Sequence, residues 1–470
     1  MRSLTALGLC ALLSAPSLTS AQRVTVLPGN RQFVSVDTTV VALTNVKLID
    51  GTGTPARDAM TVIIEGRTIR AVGPTASTQP PANALVIDLA GHTVIPGLVG
   101  LHDHMYYNSR TQITSYPRLF LAAGVTTIRT TGSYDSYAEL NLKRRIDRDS
   151  VVGPSVYVTG PYLQGPGAGP GTMHPLNGPD DARRMVKYWA DEGVSWFKAY
   201  TQISRAELGA AIQEAHKNGI KVTAHLCSVG FREAVALGID NLEHGLLVNT
   251  EYSSKKVPDQ CPQVTDAEYA ALDVNSPQVQ QTFKDMVQKN VAMTSTLAVM
   301  ETGMPSRVPF DQRVLDALFP ESSAQVARYY EQGKTRAEAD KPAIAALKKA
   351  MEYERAFVKA RGLLAAGSDP CCGPAIAGYA DQRNFELLVE AGFTPEQVVQ
   401  IMSANGAKVL GGADRFGTIK PGLNADLVVL RGNLAGDATV IKNVVTVFRH
   451  GVGYDAAKLT AAVKGRIGIN

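Results

Sequence analysis

The 470-residue sequence has little excess charge of either sign and no long apolar run beyond its first residues. Lysine and arginine total 47 against 43 aspartate and glutamate, and the net charge of +4 is too small to indicate a nucleic-acid partner or an anionic membrane. The apolar run over residues 4–15 is too short to span a bilayer as a stable anchor. The sequence also lacks internal repeats and a coiled-coil heptad pattern, and its length is sufficient for one large domain plus a smaller one.

The amino terminus predicts a secretory signal peptide over residues 1–21. Arg2 precedes the apolar run, and small residues surround Ala21, which is the order typical of cleavable export signals. We therefore expect a periplasmic or secreted protein with no membrane span after cleavage. A retained anchor or a lipid attachment at Cys10 is the alternative, although Leu9 stands where a lipoprotein signal usually has a small residue.

Cysteine is scarce, with five residues in the chain and four after removal of the signal peptide. Export would allow these four to form disulfides. Cys261 lies in a loop-like insertion and Cys371 and Cys372 follow Asp369, so we hypothesise a link from Cys261 to Cys371 or Cys372. Cys227 is interpreted as a small buried apolar residue.

Six residues that are able to hold a metal lie at or near the ends of short apolar runs. His102 and His104 follow the run 94–101, and side chains two apart on a strand point to the same face. The complete set is His102, His104, Lys198, His225, His244 and Asp369. A single histidine or aspartate at such a position is more often structural than a ligand. Six of them on five strand ends rarely arise by chance, so together they indicate a metal site.

Lys198 is the unusual member because it lies in an apolar run, where an ammonium group is costly to bury without a partner. An unprotonated lysine reacts with carbon dioxide, and the resulting carbamate is an anion that bridges two cations. A snorkelling or salt-bridged lysine is the alternative.

The sequence resembles the amidohydrolase superfamily in most of its length. The resemblance is carried by VIPGLVGLHDH, GVTTIR, WFKAY, NLEHG, GSD, TPEQVVQIMSANGAKVLG and GTIKPGLNADLVVL. Within this superfamily, the sequence resembles the binuclear subtype with a carboxylated lysine, in the branch of imidazolonepropionase-like and Xaa-Pro dipeptidase-like enzymes. The resemblance implies two divalent ions, zinc in preference to manganese, cobalt or nickel. It assigns His102, His104 and Asp369 to the first ion, His225 and His244 to the second, and carboxylated Lys198 to both.

Strand-like runs alternate with helical stretches through the middle of the chain, which is the pattern of a parallel sheet. Eight runs predict an α/β fold with a (β/α)8 TIM barrel over residues 96–414: 98–104, 124–130, 155–159, 194–200, 221–225, 240–244, 292–298 and 363–369. Short β runs at 37–95 and 415–455 flank the barrel, and the resemblance implies that they join in one composite β-sandwich. The charged region 311–361 predicts a solvated helical insert.

The resemblance also implies a mechanism in which a hydroxide shared by the two ions attacks a carbonyl. Asp369 would accept the proton of that hydroxide and pass it to the departing amine. Tyr200, two residues beyond Lys198, and His174, after the third barrel strand, are predicted to contact the substrate. The alternatives are a barrel-rim packing residue for Tyr200 and a surface-loop histidine for His174.

Arg129 has two interpretations. It either binds a substrate carboxylate or forms a buried structural pair. Related enzymes often carry an acid directly after this arginine, and here Thr130 stands in that position. The partner of Arg129 is therefore undefined from the sequence.

We expect an exported metal-dependent amidohydrolase that cleaves an amide bond in a small substrate, either a dipeptide or an N-acyl amino acid. Hydrolysis of a lactam, lactone, carbamate or organophosphate ester at the same two-metal site is the alternative. A deaminase fits less well because related deaminases usually use one metal and lack the bridging lysine, and a non-catalytic relative would be missing ligands. The resemblance is also compatible with a homo-oligomer.

Overall fold

The computed structural model describes residues 25–167 and 173–468. The expected signal peptide lies outside the described residues. Within these two ranges, no helix combines the length and the hydrophobicity that crossing a membrane requires.

The strands of the described ranges are short in the centre of the chain and longer near its ends. They are β1 Val34–Val36, β2 Val40–Leu48, β3 Arg57–Glu65, β4 Thr68–Pro74, β5 Leu85–Asp88, β6 His92–Pro96, β7 Leu98–Asp103, β8 Tyr106–Tyr107, β9 Arg110–Thr111, β10 Val125–Thr130, β11 Ser155–Tyr157, β12 Trp196–Ala199, β13 Lys221–Ala224, β14 Asn241–Glu243, β15 Ala292–Ser295, β16 Leu364–Ala366, β17 Leu427–Arg431, β18 Val444–Arg449 and β19 Val452–Asp455.

The helices mostly follow the central strands. They are α1 Ser115–Ala122, α2 Ser136–Asp147, α3 Pro179–Glu192, α4 Arg205–Lys217, α5 Phe231–Leu237, α6 Asp266–Ala270, α7 Pro277–Gln288, α8 Leu297–Glu301, α9 Gln312–Ala317, α10 Pro320–Gly333, α11 Lys341–Lys359, α12 Tyr379–Glu390, α13 Pro395–Gln400, α14 Gly406–Leu410 and α15 Ala456–Ala461. A π-helical turn, Ile401–Asn405, joins α13 to α14. Helices α9 to α11 confirm the helical insert predicted over 311–361.

The terminal segments share one mixed nine-stranded sheet, in the order β1-β19-β18-β17-β6-β2-β3-β4 with β5 paired to β2. β6 pairs antiparallel with β17 over the register from His92–Arg431 to Pro96–Leu427. The β segments that flank the central strands therefore pair with each other in one sheet. Alternate residues such as Val41, Leu43 and Val429 face a common apolar core. The division of this sheet into two packed layers of a sandwich stays a prediction.

The eight central strands match the eight predicted runs and are all parallel to their neighbours. One sheet has the order β11-β10-β7 and the other the order β12-β13-β14-β15-β16. The backbone N–H of Gly160 donates to Trp196 at 2.9 Å, and that of Asp369 donates to His102 at 2.7 Å. These bonds connect the first sheet to the second at both of its edges. Closure of the eight strands into one regular barrel stays a prediction.

Most predicted runs extend a few residues beyond the observed strands. The clearest difference is the seventh run, predicted over 292–298, which ends as a strand at Ser295 because α8 begins at Leu297. Local sequence explains the helix starts that follow such strands. In α4, the Ser204 side chain accepts from the backbone N–H of Glu207, and Glu207 accepts from the backbone N–H of Ser204 at 2.9 Å.

Candidate metal centre

His102, His104 and Asp369 lie together where β7 and β16 end. His102 is within β7 and His104 follows it, so both side chains project to the same side of the sheet. Nε2 of His104 is 3.0 Å from Oδ1 of Asp369, and Nε2 of His102 is 3.6 Å from Oδ2. One ligand atom from each residue lies within 4.8 Å of the others. The three side chains are therefore close enough to bind one ion.

The remaining three predicted ligands border the same group. Nζ of Lys198, in β12, is 3.0 Å from Nε2 of His102. His244 directly follows β14, and its Nε2 is 4.0 Å from Oδ2 of Asp369. The ring centroids of His244 and His225 are 4.3 Å apart. The structure therefore brings all six residues together, and their roles as metal ligands stay a prediction.

Gly367 allows β16 to approach β7 closely. A Cβ atom at this position would lie 2.1 Å from the backbone nitrogen of His102, which no real contact permits. The close approach lets Ser368 and Asp369 donate their backbone N–H groups to the His102 carbonyl, at 3.1 and 2.7 Å. Any larger residue in place of Gly367 would move Asp369 away from the histidines.

Two of the six residues have left-handed backbone conformations. His244 has φ 65° and Asp369 has φ 51°, a region that non-glycine residues rarely adopt and that costs of order 1–3 kcal/mol. The backbone N–H of His244 donates to Thr294 at 2.9 Å, and its Nδ1 lies 2.7 Å from Oγ1 of Thr296. These contacts hold the imidazole in place against the strain, as is common at functional sites.

Glu243 fixes the orientation of the His102 imidazole through a contact with Nδ1. Its fully buried carboxylate accepts from Nδ1 of His102 at 2.8 Å and from Nη2 of Arg129 at 2.5 Å. Burial alone would raise the pKa of Glu243, but the Arg129 charge and His102 outweigh it and lower the pKa to about 2. The ionised carboxylate holds the His102 proton on Nδ1 and directs Nε2 toward Lys198 and Asp369.

Glu243 was not predicted from the sequence, although a signal for it was present. It directly precedes His244, and alternation along β14 places it on the same side as Asn241, whose amide donates to its Oε1 at 2.8 Å.

The contact between Glu243 and Arg129 also answers the open question about Arg129. That guanidinium is fully buried against Glu243 and over the Trp196 ring at 4.5 Å, so the structural interpretation of Arg129 is correct and the carboxylate-binding one is wrong.

The electrostatics of the site favour uncharged nitrogen ligands. Burial lowers the pKa of His104 to about 4 and that of His225 to about 3, and it also lowers those of His102 and His244. Lys198 is 2 % exposed, and burial lowers its pKa to about 8. Near neutral pH the histidines are therefore neutral, as metal binding requires.

These residues fit a divalent metal. Four imidazoles, one carboxylate and one lysine form the nitrogen and oxygen donor set that zinc and similar ions accept. Nε2 of His244 is buried and has no hydrogen-bond partner among the residues described. An unpaired ring nitrogen of this kind is costly to bury, and a bound ion would satisfy it.

A cavity of about 270 Å³ is lined by four of the six residues, His104, Lys198, His225 and Asp369. Four tyrosines line it, together with Asn108, Ser109 and the Cys371–Cys372 pair. Tyr200 is one of the four, and its contact with a substrate stays a prediction. Burial raises the pKa of Tyr200 to about 12. Its hydroxyl is therefore a neutral donor at physiological pH.

His174 does not line this cavity. Its exposed side chain lies in an adjoining groove of about 550 Å³ that shares Tyr134 and Tyr162 with the metal cavity. There, Nε2 of His174 is 3.1 Å from Oδ2 of Asp181. The structure thus separates His174 from the six predicted ligands, and its contact with a substrate stays a prediction.

The disulfide hypothesis is wrong in its connectivity. Cys261 is bonded to Cys227, and Cys371 to Cys372. The segment that carries Cys261 folds back over the loop after β13, where Thr250 and Lys256 donate hydrogen bonds to the Cys227 carbonyl, at 2.6 and 3.1 Å. Cys227 is consequently a half-buried disulfide partner and not a small buried apolar residue.

Comparison with known proteins agrees with this geometry. The amidohydrolase family matches residues 93–453. A candidate prolidase from Bifidobacterium longum is 25% identical, with a TM-score of 0.66 over 90% of this chain and 98% of that one. A Xaa-Pro dipeptidase with bound methionine is 19% identical, with a TM-score of 0.67 over 88% of this chain and 100% of that one.

The same fold occurs in phenylurea hydrolase B, which is 20% identical, with a TM-score of 0.66 over 90% of this chain and 98% of that one. No curated protein sequence matches the chain. The family match spans more than half of the sequence and includes all six clustered residues, and the structural neighbours include prolidase-like and Xaa-Pro dipeptidase-like enzymes. The chain belongs to the amidohydrolase family.

Proposed function

We propose that this protein is an exported, metal-dependent amidohydrolase that cleaves the amide bond of a small substrate, either a dipeptide or an N-acyl amino acid. One observation carries the proposal. Six ligand-type side chains from five parallel strands converge, four of them line a single cavity, and His102, His104 and Asp369 are within binding distance of one ion. A closed (β/α)8 barrel with a β-sandwich beside it is the architecture in which such strand ends form one site.

The proposal assigns each metal-binding side chain a place. His102, His104 and Asp369 would hold one ion, and His225 and His244 a second. Lys198, after carboxylation by carbon dioxide, would bind both. When bound, divalent ions of this kind lower the pKa of water and polarise a carbonyl group. Zinc suits this donor set best.

Asp369 is the residue to which we assign proton transfer. Its carboxylate is held at 3.0 Å from Nε2 of His104, and the neighbouring histidines keep its pKa well below the usual range despite burial. It is therefore ionised and able to accept a proton from the attacking water. Donating that proton to the departing nitrogen turns a poor leaving group into a neutral amine.

Two further side chains support this chemistry without taking part in bond breaking. Tyr200 presents a neutral hydroxyl to the cavity, where it is suited to donate to the developing oxyanion. Glu243 keeps His102 in one tautomer and orientation. Export is proposed from the amino-terminal sequence, which fits the use of disulfides in the described part of the chain.

The proposal is tested by screening zinc-loaded protein, prepared with bicarbonate, against dipeptides and N-acyl amino acids, with lactones as controls. We expect turnover of amides that is lost on chelation and restored by zinc. Turnover of lactones without turnover of any amide would favour the alternative carbonyl hydrolysis at the same site.

A further inference from the structure

The metal cavity is bordered by a disulfide between two neighbouring residues, Cys371 and Cys372. Both residues line the cavity, both are partly exposed, and they follow closely after Asp369 in the sequence. The proposed hydrolysis assigns no part to this disulfide. A disulfide that a solute is able to reach is nevertheless a reactive group, because a thiolate attacks its sulfur atoms.

The Cys371–Cys372 disulfide differs from the Cys227–Cys261 disulfide in the spacing of its backbone. The Cα atoms of Cys371 and Cys372 are 3.8 Å apart, a distance that the peptide bond between them fixes. Disulfides usually join Cα atoms about 4.4 to 6.8 Å apart, and disulfides outside this range are more easily reduced. The Cα atoms of Cys227 and Cys261 lie within the range, at 4.9 Å. A reductant should therefore open the Cys371–Cys372 bond first.

The backbone around this pair is bonded to the hairpin of β8 and β9. The backbone N–H of Asn108 donates to the Cys371 carbonyl at 2.8 Å, and the Tyr107 hydroxyl donates to the Gly373 carbonyl at 3.2 Å. Asn108 and Ser109 form the turn of the hairpin and line the same cavity. A change in the backbone of Cys371 is therefore transmitted to the cavity lining.

The same backbone leads directly to Asp369. The backbone N–H of Cys371 donates to the Asp369 carbonyl at 2.9 Å, and the backbone N–H of Asp369 donates to His102 at 2.7 Å. Asp369 has a left-handed φ of 51°, a conformation that persists only where surrounding contacts hold it. Opening the disulfide releases the peptide unit between Cys371 and Cys372 from the ring that the two side chains close. Asp369 then loses part of the support for its orientation.

From these contacts we propose that Cys371 and Cys372 form a redox site. Its oxidised state keeps the cavity in its active arrangement, and its reduction by a small-molecule thiol lowers amide hydrolysis. The loss of hydrolysis rests on the proposed function, whereas the selective reduction and its effect on the backbone do not.

The reduction is an ordinary thiol–disulfide exchange. The thiolate of one small thiol attacks a cysteine sulfur, breaks the bond between Cys371 and Cys372, and forms a mixed disulfide with one of them. A second small thiolate attacks the mixed disulfide and releases that cysteine. The two cysteines together gain two electrons and two protons, and the two small thiols are oxidised to one disulfide.

A titration with glutathione tests the selectivity. Zinc-loaded protein is equilibrated without oxygen at stepped ratios of reduced to oxidised glutathione, free thiols are alkylated, and the cysteine peptides are identified by mass spectrometry. We expect the dithiol form of Cys371 and Cys372 at ratios at which Cys227 and Cys261 remain bonded. Reduction of the Cys227–Cys261 bond first, or of both bonds together, would overturn the inference. Recovery of Cys371 and Cys372 as free thiols from air-exposed protein would overturn it as well.

Hydrogen exchange and kinetics on the same samples, after removal of glutathione, measure the consequence of reduction. Amide exchange in the peptide that contains Asn108 should become faster, because this N–H is bonded to the Cys371 carbonyl. We expect kcat/KM for amides to fall by about tenfold at unchanged zinc content and to recover on reoxidation. Unchanged exchange, or unchanged kcat/KM in an active enzyme with both cysteines reduced, would overturn the inference. Faster exchange in a protein that hydrolyses no amide in either state would overturn the proposed function and leave the redox site in place.

The double variant Cys371→Ser and Cys372→Ser reproduces the reduced state without a reductant. Its kcat/KM should lie about tenfold below that of the oxidised wild type, and glutathione should not lower it further. The matched control is the double variant Cys227→Ser and Cys261→Ser, which removes the other disulfide and should retain the wild-type response to glutathione. A folded Cys371→Ser and Cys372→Ser variant with the activity of the oxidised wild type would overturn the inference.

Discussion

The Glu243 carboxylate lies 2.8 Å from Nδ1 of His102, while its other oxygen is bonded to Arg129. This buried contact links the core of the protein to the tautomer of a predicted ligand. We expect Glu243→Gln to lower metal affinity by about 10 to 100-fold, because the amide does not hold the imidazole as a carboxylate does. Zinc titration against a chromogenic chelator measures the change.

The Glu243→Gln variant also leaves the Arg129 charge uncompensated, so its melting temperature has to be measured beside its zinc affinity. Glu352→Gln, on the exposed face of α11, is the matched control and should change neither quantity. Wild-type zinc affinity in a folded Glu243→Gln protein would contradict the role assigned to Glu243.

Asp369→Asn separates proton transfer from ligation. An amide oxygen still reaches the place of the carboxylate, but it does not accept a proton. We therefore expect kcat to fall by about 10²- to 10⁴-fold while most of the metal stays bound. Steady-state kinetics and metal analysis of the same preparation give both values. A variant with near wild-type turnover would show that another group carries the proton.

The lowered pKa of Lys198 predicts that activation of the enzyme by carbon dioxide depends on pH. Only the neutral amine reacts with carbon dioxide, and the lowered pKa of about 8 means that the neutral fraction of the metal-free protein rises as the pH passes through 8. Reconstitution with zinc at matched concentrations of dissolved carbon dioxide should therefore be faster at pH 9 than at pH 7. Lys198→Met should bind less metal and show no response to bicarbonate. An equal rate at both pH values would argue against carboxylation.

Glu354 is a buried carboxyl group that should make stability fall with rising pH. Burial raises its pKa to about 8, and its Oε2 has no hydrogen-bond partner in the described part of the chain. A raised folded-state pKa means that the stability present below about pH 4.5 is lost as the pH rises toward 8. Glu354→Gln should remove this loss.

The melting temperature of Glu354→Gln should accordingly exceed that of the wild type near pH 8, by roughly 1 °C for each kcal/mol regained in a chain of this length. The difference should disappear near pH 4.5. Glu352→Gln, two residues away and exposed, should show neither effect. Parallel curves for Glu354→Gln and wild type across this pH range would mean that Glu354 is ionised in the folded protein.

The Cys227–Cys261 disulfide joins two residues that are 34 positions apart in the sequence. Closing a loop of this length stabilises a protein by about 3 to 4 kcal/mol in the chain-entropy view. We expect the double substitution Cys227→Ser and Cys261→Ser to lower the free energy of unfolding by that amount. Peptide mapping under non-reducing conditions checks the pairing itself, and recovery of a Cys261 link to Cys371 or Cys372 would contradict the structure.

The features that sequence predicted well are those with local signals. Alternation along β7 placed His102 and His104 on one face, and the apolar runs located the strands that carry Lys198 and His244. Disulfide pairing depends on how distant loops fold over one another, so the bond from Cys261 to Cys227 was not predictable from spacing. The contact between Glu243 and Arg129 joins β14 to β10, and no local pattern specifies which buried charges meet across a sheet.

The prediction for His174 shows the same limit. The sequence correctly predicts that His174 follows the third strand. How far a loop lies from a cavity depends on tertiary contacts, here the contact of His174 with Asp181. The four tyrosines that line the cavity, Tyr106, Tyr134, Tyr162 and Tyr200, are likewise separated by 28 to 38 positions from one to the next in the sequence. Each is unremarkable alone, and only the fold assembles them.

We propose that the six converging side chains make this chain a two-metal amide hydrolase. The most direct measurement is metal content and amide hydrolysis in one sample of protein reconstituted with zinc and bicarbonate. We expect close to two zinc ions per chain and activity that rises in proportion to bound zinc. Well below one ion per chain, with no amide hydrolysis restored by zinc and bicarbonate, would contradict it.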